Sequence, residues 1–263
     1  MSTRVFAAVQ HSSPTERFSD RVSDYVRARP GYPAILPQLL AERCRLPTPG
    51  VIADAGSGTG IMTRLMLDRG HRVFAVEPNR EMREAAEASL GNRAGFTSVA
   101  ATAESTGLAT ASVDMVTAAQ AFHWFDRGRV RTEFARILRP GGHAVLVWND
   151  RRLASTAFLR GYEALLVDHC PEYLKVVHRN ITVDVLTGFF GPAGFETVIL
   201  DNAQALDWSL LVARHDSQSY VPKSGHARAR LMAQLRALFE STADANGHVV
   251  FEYDTRVHFG PLT

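Results

Sequence analysis

The chain has 263 residues, which allows one large α/β domain with or without an added cap. Its 46% apolar and 21% charged residues are ordinary for a globular enzyme, and its formal charge of +2 is too small to indicate binding to nucleic acid or to an anionic membrane. The two cysteines, Cys44 and Cys170, lack the spacing of a disulfide framework or a zinc site. Because no apolar run is long enough to span a bilayer and the N-terminus lacks a signal peptide, we expect a cytoplasmic protein without a bound metal.

The N-terminal region is predicted to form two helices after a flexible arm of residues 1–15. The first helix covers about residues 16–28. It ends at residues 29–33, Arg-Pro-Gly-Tyr-Pro, because proline cannot continue a helix and disfavours helical geometry in the residue before it. The second helix covers residues 34–44, with leucines along one side. We expect residues 16–263 to form a single domain.

Residues 51–60 combine a buried strand with a glycine turn. The strand, residues 51–55, is mostly apolar without a period of two, as in a parallel sheet. Gly56, Gly58 and Gly60 follow it, and residues 61–67 then have the pattern of a helix. Glycine suits such a turn because it adopts a positive φ at little cost and lets a ligand approach the backbone. The stretch therefore predicts the opening of a nucleotide-binding βαβ unit.

An acidic residue at the end of the next strand supports this prediction. Residues 72–76 form a second apolar strand, and Glu77 follows it, 23 residues after Asp54. This is close to the spacing of about 20 residues expected for an acid that binds a ribose. A carboxylate accepts hydrogen bonds from both ribose hydroxyls. An ordinary turn with a solvated strand end is the alternative, which the order of strand, helix, strand and acid disfavours.

The pattern Asp54-x-Gly56-x-Gly58-x-Gly60 resembles motif I of the class I S-adenosylmethionine-dependent methyltransferases. It differs from the Gly-x-Gly-x-x-Gly turn of dinucleotide-binding proteins. In the family that it resembles, the loop holds the methionine part and the ribose of S-adenosyl-L-methionine, and no phosphate is present. The resemblance implies an α/β fold: a Rossmann-like, doubly wound, seven-stranded, mostly parallel sheet with an antiparallel last strand, a helical N-terminal cap and cap insertions.

Residues 25–33 resemble the Tyr-x-x-x-Arg-Pro-x-Tyr-Pro segment of a type 11 methyltransferase subgroup that includes relatives of the trans-aconitate methyltransferases. In such proteins the N-terminal helices fold over the cofactor, so residues 16–45 are expected to act as a cap. The resemblance implies that Arg29 pairs with the cofactor carboxylate and that Tyr25 and Tyr32 surround the methyl group. A surface arginine beside two core tyrosines is the open alternative.

Two further segments resemble cofactor-binding parts of the same family. After a predicted helix, 79–90, and a third strand, 96–100, Ala103 and Glu104 resemble a Gly-x-Ala-Glu step that lies near the adenine; the match is loose because the glycine is absent. After a fourth strand, 112–119, comes the run Gln120 to Phe125. The resemblance places Gln120 at the amino-acid end of the cofactor, Phe122 over the adenine or ribose, and His123 as a methyl-site wall or as packing. His123 is also the histidine that we would test as a general base.

The remaining elements complete the predicted sheet. Asp126 is expected to cap a helix over residues 129–138, and the fifth strand covers residues 143–148. Residues 151–190 are predicted to form a cap segment that contains a helix over 155–170. A sixth strand and an alternating last strand are predicted to pair as a hairpin with helices inserted between them; their ranges are 195–206 and 249–259.

These features predict a methyltransferase that acts on a small-molecule acceptor with a carboxylate, hydroxyl or amine, in small-molecule or secondary metabolism. Alignment of donor and acceptor supplies most of such catalysis, so neither a Ser-His-Asp set nor a metal is expected. The expected form is a monomer or a homodimer. Two alternatives stay open: a cyclase or lyase of the same fold, which converts the methionine moiety to azetidine-2-carboxylate and releases methylthioadenosine, and an NAD-dependent dehydrogenase, which the glycine spacing disfavours.

Overall fold

The computed structural model describes residues 28–174 and 181–262. The predicted arm, nearly all of the predicted first helix and Tyr25 lie outside these described residues. The predictions for those parts of the chain therefore remain predictions.

Seven strands form one sheet in the order β3-β2-β1-β4-β5-β7-β6. The strand β7 is antiparallel to both of its neighbours, and the other pairs of adjacent strands are parallel. The order of strands reverses between β1 and β4, where ligands bind in open α/β sheets. This topology confirms the predicted sheet. The strand bounds are β1 Val51–Ala55, β2 Arg72–Val76, β3 Phe96–Val99, β4 Val113–Ala119, β5 Leu138–Arg151, β6 Glu196–Leu206 and β7 Val249–Pro261.

Helices follow most of the strands and cover both faces of the sheet. The α-helix bounds are α1 Leu36–Arg43, α2 Ile61–Leu67, α3 Arg80–Leu90, α4 Arg127–Ile137, α5 Ala157–His169, α6 Val183–Phe190, α7 Trp208–Asp216 and α8 Gly225–Thr242. The ends of α1 to α5 agree with the predicted bounds to within a few residues, whereas α6 was not predicted. The predicted cap Asp126 accepts hydrogen bonds from the backbone amides of Gly128 and Arg129, each at 3.1 Å.

The core has a layer of apolar side chains on each face of the sheet. On one face, Met62 and Met66 of α2 pack with Leu36 and Leu40 of α1. On the other face, α4 and α6 pack together against β4 and β5. Because α6 buries three large side chains in this layer, this part of the predicted cap segment 151–190 packs in the core. The three side chains are Leu186, Phe189 and Phe190.

A third cluster lies at the end of the sheet that β6 and β7 form. Helices α7 and α8 are inserted between these two strands, and α5 packs with them around Phe251 and Tyr253. The predicted hairpin with a helical insertion is therefore confirmed. Within the described residues, no helix has the length and apolar character needed to cross a bilayer.

Candidate functional site

A cleft lies at the carboxyl ends of β1, β2 and β4, where the predicted glycine loop is found. The loop 56–59 and the residues after β2 form one wall, and the residues after β4 form the other. The residues that line the cleft are Tyr32, Asp54, Gly56, Ser57, Gly58, Thr59, Ile61, Met62, Glu77, Pro78, Asn79, Met82, Ala119, Gln120, Ala121, Trp124 and Phe125.

The three glycines of the loop all have a positive φ, and each serves a different contact. A Cβ on Gly56 would stand 2.6 Å from the Ala121 side chain, so this glycine lets the two walls approach each other. A Cβ on Gly60 would stand 2.6 Å from Leu90, so that glycine packs α2 against α3 and does not line the cleft. A Cβ on Gly58 would meet nothing within 4 Å. Gly58 is therefore the glycine that leaves room for a ligand.

Glu77 is buried and holds the glycine loop with its carboxylate. One oxygen accepts a hydrogen bond from the backbone amide of Gly58 at 2.9 Å, and the other accepts one from the amide of Asn79 at 2.8 Å. Burial raises the pKa of this carboxyl group, and the two amides oppose that rise. Glu77 thus fixes the loop and, as a residue of the cleft wall, keeps further lone pairs for a ligand.

Asp54 is buried and accepts hydrogen bonds from two threonine hydroxyls. Thr63 of α2 donates to one oxygen at 2.6 Å, and Thr117 of β4 donates to the other at 2.8 Å. Burial raises the pKa of this carboxyl group to about 6 in spite of the hydroxyls. The side chain therefore connects three elements beneath the cleft, in addition to lining it.

Comparison with known proteins points to one family. Residues 53–146 match a family model described as a methyltransferase domain. An uncharacterized methyltransferase of Mycobacterium tuberculosis is 41% identical over 135 residues, which cover 51% of this chain and 52% of that protein. An uncharacterized methyltransferase-like protein of Schizosaccharomyces pombe is 33% identical over 138 residues, with coverage of 51% and 52%. The chain spans about half the length of the curated relatives it matches.

Solved structures extend the similarity to most of the fold. A protein from Anaeromyxobacter dehalogenans, assigned as a type II methyltransferase, aligns with a TM-score of 0.66 and 26% identity over 89% of this chain and 98% of that one. A protein from Anabaena variabilis, assigned as a methyltransferase of an antibiotic biosynthesis pathway, has the same fold, with a TM-score of 0.62 and 23% identity over 89% and 98% of the two chains. Residues 53–146 therefore resemble a methyltransferase domain, and the fold around them is shared with these solved structures.

Gln120 follows β4 at the cleft, and its predicted role at the amino-acid end of the cofactor stays a prediction. It lines the cleft and has a φ of +58°, which is unusual for a residue other than glycine. Its backbone amide donates to the carbonyl of Val147 at 2.8 Å, and its side-chain amide donates to the carbonyl of Asn149 at 3.3 Å. These bonds to β5 hold the strained turn in place after β4.

Phe122 does not line the cleft, although its predicted place is over the adenine or ribose of the cofactor. Its side chain is fully buried and packs edge-on against Phe125, Trp148 and Phe189 in the core. The short 3₁₀ turn Phe122–Trp124 directs Phe122 inward, while Trp124 and Phe125 line the cleft. Alternation of apolar residues could not distinguish these directions, because three aromatic residues fall within one turn.

Of the other residues predicted to contact the cofactor, only some lie in the cleft. Tyr32 lines it, whereas Arg29 donates to the carbonyl of Ser217 at 3.4 Å and is not a lining residue. His123 is half-buried with its ring 4.9 Å from that of Trp124, and it does not line the cleft either. Ala103 is buried in the core, and the Glu104 carboxylate accepts from the Asp126 amide at 3.0 Å. Neither lines the cleft.

Sequence analysis missed Ser57, whose hydroxyl oxygen is buried in the cleft wall and has no hydrogen-bond partner among the described residues. Ser57 occupies a variable position of the glycine pattern. Its hydroxyl group between two glycines is the one sequence feature that could have indicated a residue of the cleft. Met82, which lies in the first turn of α3 after the cap residue Asn79, also lines the cleft and was not predicted to do so. In the described part of the chain, no three His, Cys, Asp or Glu residues are grouped closely enough to hold a metal ion.

Proposed function

We propose that the chain binds S-adenosylmethionine in the cleft and transfers its methyl group to a small-molecule acceptor. The main support for this proposal is the negative charge of the cleft wall. Asp54 and Glu77 are acidic, and the lining within the described residues contains no lysine or arginine. Such a wall favours a ligand with a cationic sulfonium group, whereas the pyrophosphate of a dinucleotide would meet two carboxylates and no basic side chain.

The residues present fit the cofactor in three ways. The open space at Gly58 admits a ligand against the backbone, which a side chain there would fill. The hydroxyl of Ser57 is a buried polar group that still needs a partner. Glu77 stands at the end of β2, the place of a ribose-binding acid, and its carboxylate is already fixed by two backbone amides. We assign the ribose to Glu77 and the amino-acid end to Gln120 and the glycine loop.

The catalytic work of the protein is alignment. The bound cofactor supplies an electrophilic methyl group, and transfer is an in-line displacement. Tyr32, Trp124 and Phe125 line the cleft and would exclude water from the methyl group. Holding two reactants in line contributes up to about 7–11 kcal/mol in favourable cases. A carboxylate acceptor needs no base, whereas a phenol or amine would need one, and His123 keeps its predicted role for that case. Tyr25 keeps its predicted place beside the methyl group.

Calorimetric titration with S-adenosylmethionine tests the site through Gly58→Ala. The added methyl group enters the open space of the cleft, so we expect the affinity to fall by about 10-fold or more. Gly107→Ala is the matched control, because Gly107 also has a positive φ, +72°, with nothing within 4 Å of its Cβ, but lies outside the cleft. If the two variants bind S-adenosylmethionine with equal affinity, whether unchanged or reduced, the assignment of the cleft as the cofactor site is wrong.

Product analysis tests the reaction. We expect S-adenosylhomocysteine to form only when an acceptor is added to the enzyme and the cofactor. Methylthioadenosine formed without any acceptor would indicate the cyclase, and binding of NAD(H) in preference to S-adenosylmethionine would indicate the dehydrogenase. No observation in the fold favours either alternative. The cytoplasmic location, the monomeric or dimeric state and the place in secondary metabolism stay predictions.

A further inference from the structure

A second polar cluster lies at the same edge of the sheet as the cleft, beyond β5. It consists of Arg214 on α7, Arg151 at the end of β5, Tyr253 on β7, and Tyr220 after α7. Tyr253 is directly opposite Arg151 in the pairing of β5 with β7. The guanidinium carbon of Arg214 is 5.7 Å from the ring centres of both Tyr253 and Phe251. None of these residues lines the cleft already described.

The guanidinium group of Arg214 is buried without a counter-ion. The residue is 6% exposed, and its Nε and Nη1 atoms have no hydrogen-bond partner among the described residues. Two aromatic faces contact the group, but a ring cannot replace the hydrogen bonds that water provided. Burying a charge in this way is costly unless an anion pairs with it. The arrangement is therefore incomplete without an anionic ligand.

The neighbouring acids are already paired with other arginines. Asp216 accepts two hydrogen bonds from Arg228, at 2.6 and 2.8 Å. Glu163 accepts from Arg151 at 2.5 Å, and it also accepts from the hydroxyl of Tyr173 at 2.7 Å. The cluster thus has more positive than negative charge, and the positive charge without a paired acid is that of Arg214.

Further donors around Arg214 also lack partners. The Tyr253 hydroxyl and the Arg151 Nη1 atom are buried and make no hydrogen bond within the described residues. Tyr220 is half-buried, so the cluster reaches solvent beside it. Burial raises the pKa of Tyr220, while the guanidinium groups of Arg151, Arg214 and Arg29 lower it, because all three face the phenol. The space beside Arg214 is therefore surrounded by hydrogen-bond donors, which suits a planar ligand group that only accepts hydrogen bonds.

Residues 28–32 connect this cluster to the cleft. The side chain of Gln204 on β6 donates to the carbonyl of Ala28 at 3.1 Å, and Arg29 donates to the carbonyl of Ser217 on the C-terminal side of α7. Tyr32, three residues further on, lines the cleft. The segment 28–32 therefore contacts the elements beside the cluster at one end and lines the cleft at the other.

We propose that Arg214 binds a carboxylate of the methyl acceptor, with Tyr253 and Tyr220 beside it, so that the substrate class is a carboxylic acid. The inference rests on the proposed function, because it assigns the second substrate of the same reaction. A guanidinium group and a carboxylate form charge-assisted hydrogen bonds, and the buried Nε and Nη1 atoms of Arg214 each lack an acceptor within the described residues.

Thermal unfolding with S-adenosylhomocysteine present tests the carboxylate site. The probes are succinate, citrate and benzoate, each compared with the corresponding neutral amide at equal ionic strength, and inorganic phosphate. We expect at least one carboxylate to raise the melting temperature of the wild type more than its amide does. The variant Arg214→Met should lose this shift, and Arg214→Lys should reduce it, with an affinity loss of about 10- to 100-fold by titration.

Arg236→Gln is the matched control. Arg236 also lies over aromatic rings, 4.8 Å from the centre of Trp208, but it is paired with Glu240. We expect this variant to keep the carboxylate shift. Without probes, Arg214→Met should melt at the temperature of the wild type or above it, because the substitution removes an unpaired buried charge. A purely structural arginine would instead make Arg214→Met less stable.

Affinity for S-adenosylmethionine separates this inference from the proposed function. It should stay within about twofold of the wild type in both Arg214 variants. If the wild type does not bind S-adenosylmethionine, the proposed function fails. If it does, the inference is overturned when no carboxylate exceeds its amide, when only phosphate stabilises the protein, or when Arg214→Met weakens cofactor binding. If Arg214→Met does not fold, the result for Arg214→Lys decides.

Discussion

The acidic side chains Asp54 and Glu77 both line the cleft and accept hydrogen bonds that connect neighbouring elements. For Asp54, burial beneath the cleft makes the charged carboxylate less favourable. It is 1% exposed, and its pKa of about 6 lies well above the value of 3.8 for a solvated aspartate. The charged form is therefore less favourable in the folded protein than in the unfolded chain, although Thr63 and Thr117 both donate to it.

The variant Asp54→Asn tests this at the scale of one residue. Because the folded pKa is raised, the wild type takes up a proton on folding between about pH 6 and pH 4, so Asp54 contributes more to stability as the pH falls through that range. Relative to Asp54→Asn, we expect the free energy of unfolding of the wild type to rise by roughly 2 kcal/mol between pH 7 and pH 4.5. Urea unfolding at a series of pH values measures it.

The asparagine is a suitable reference because threonine hydroxyls can accept as well as donate, so both hydrogen bonds can re-form. Other acids titrate in both proteins and cancel in the difference. Parallel stability curves for the two proteins would show that Asp54 keeps an ordinary pKa in the fold.

At the scale of elements, the cleft wall is formed where β2, the glycine loop and α3 meet. The carbonyl of Val76 at the end of β2 accepts from the amides of Gly56 and Ser57, at 2.9 and 3.1 Å. Glu77 then connects the loop, through Gly58, to the start of α3, through Asn79. Three elements thus depend on two consecutive residues at the end of one strand.

The variant Glu77→Gln tests this junction. The amide nitrogen of glutamine cannot accept a hydrogen bond, so either Gly58 or Asn79 loses its acceptor. A buried backbone amide without a partner costs about 1–3 kcal/mol, and we expect that loss in urea unfolding together with weaker binding of S-adenosylmethionine in calorimetry. Glu81→Gln, at an exposed acid in the first turn of α3, is the control and should change neither. Full stability of Glu77→Gln would show that the junction does not depend on this carboxylate.

At the scale of the whole molecule, strands from the far half of the sheet hold the N-terminal segment at the cleft. The carbonyl of Gly31 accepts from the side-chain amides of Asn149 on β5 and Asn202 on β6, at 3.0 and 2.9 Å. The Asn149 oxygen in turn accepts from Thr255 on β7 at 2.6 Å. Asn149 is therefore a junction of three strands and the segment 28–32.

The variant Asn149→Ala tests this connection. It removes the hydrogen bonds to Gly31, Thr255 and Asn202, so we expect faster hydrogen exchange in residues 28–34 and an affinity for S-adenosylmethionine lower by about 3- to 10-fold, because Tyr32 is held less firmly at the cleft. Asn246→Ala, in the exposed turn before β7, is the control. If exchange in residues 28–34 is the same in both variants, the asparagine junction does not hold the segment.

The sequence by itself determined the order of the strands and helices, the glycine loop, the cap at Asp126 and the acid at position 77. These features depend on residues close together in the chain, where apolar periodicity, positive φ and capping have fixed physical causes. Only the tertiary structure decided that Phe122 packs in the core while Phe125 lines the cleft, and that α6 joins the core. It also decided which glycine borders the open space of the cleft, because that depends on whether Ala121, Leu90 or open space lies opposite. The unpaired charge of Arg214 could not be found from the sequence, since its surroundings come from β5, α7 and β7, whose contacts exist only once the chain has folded.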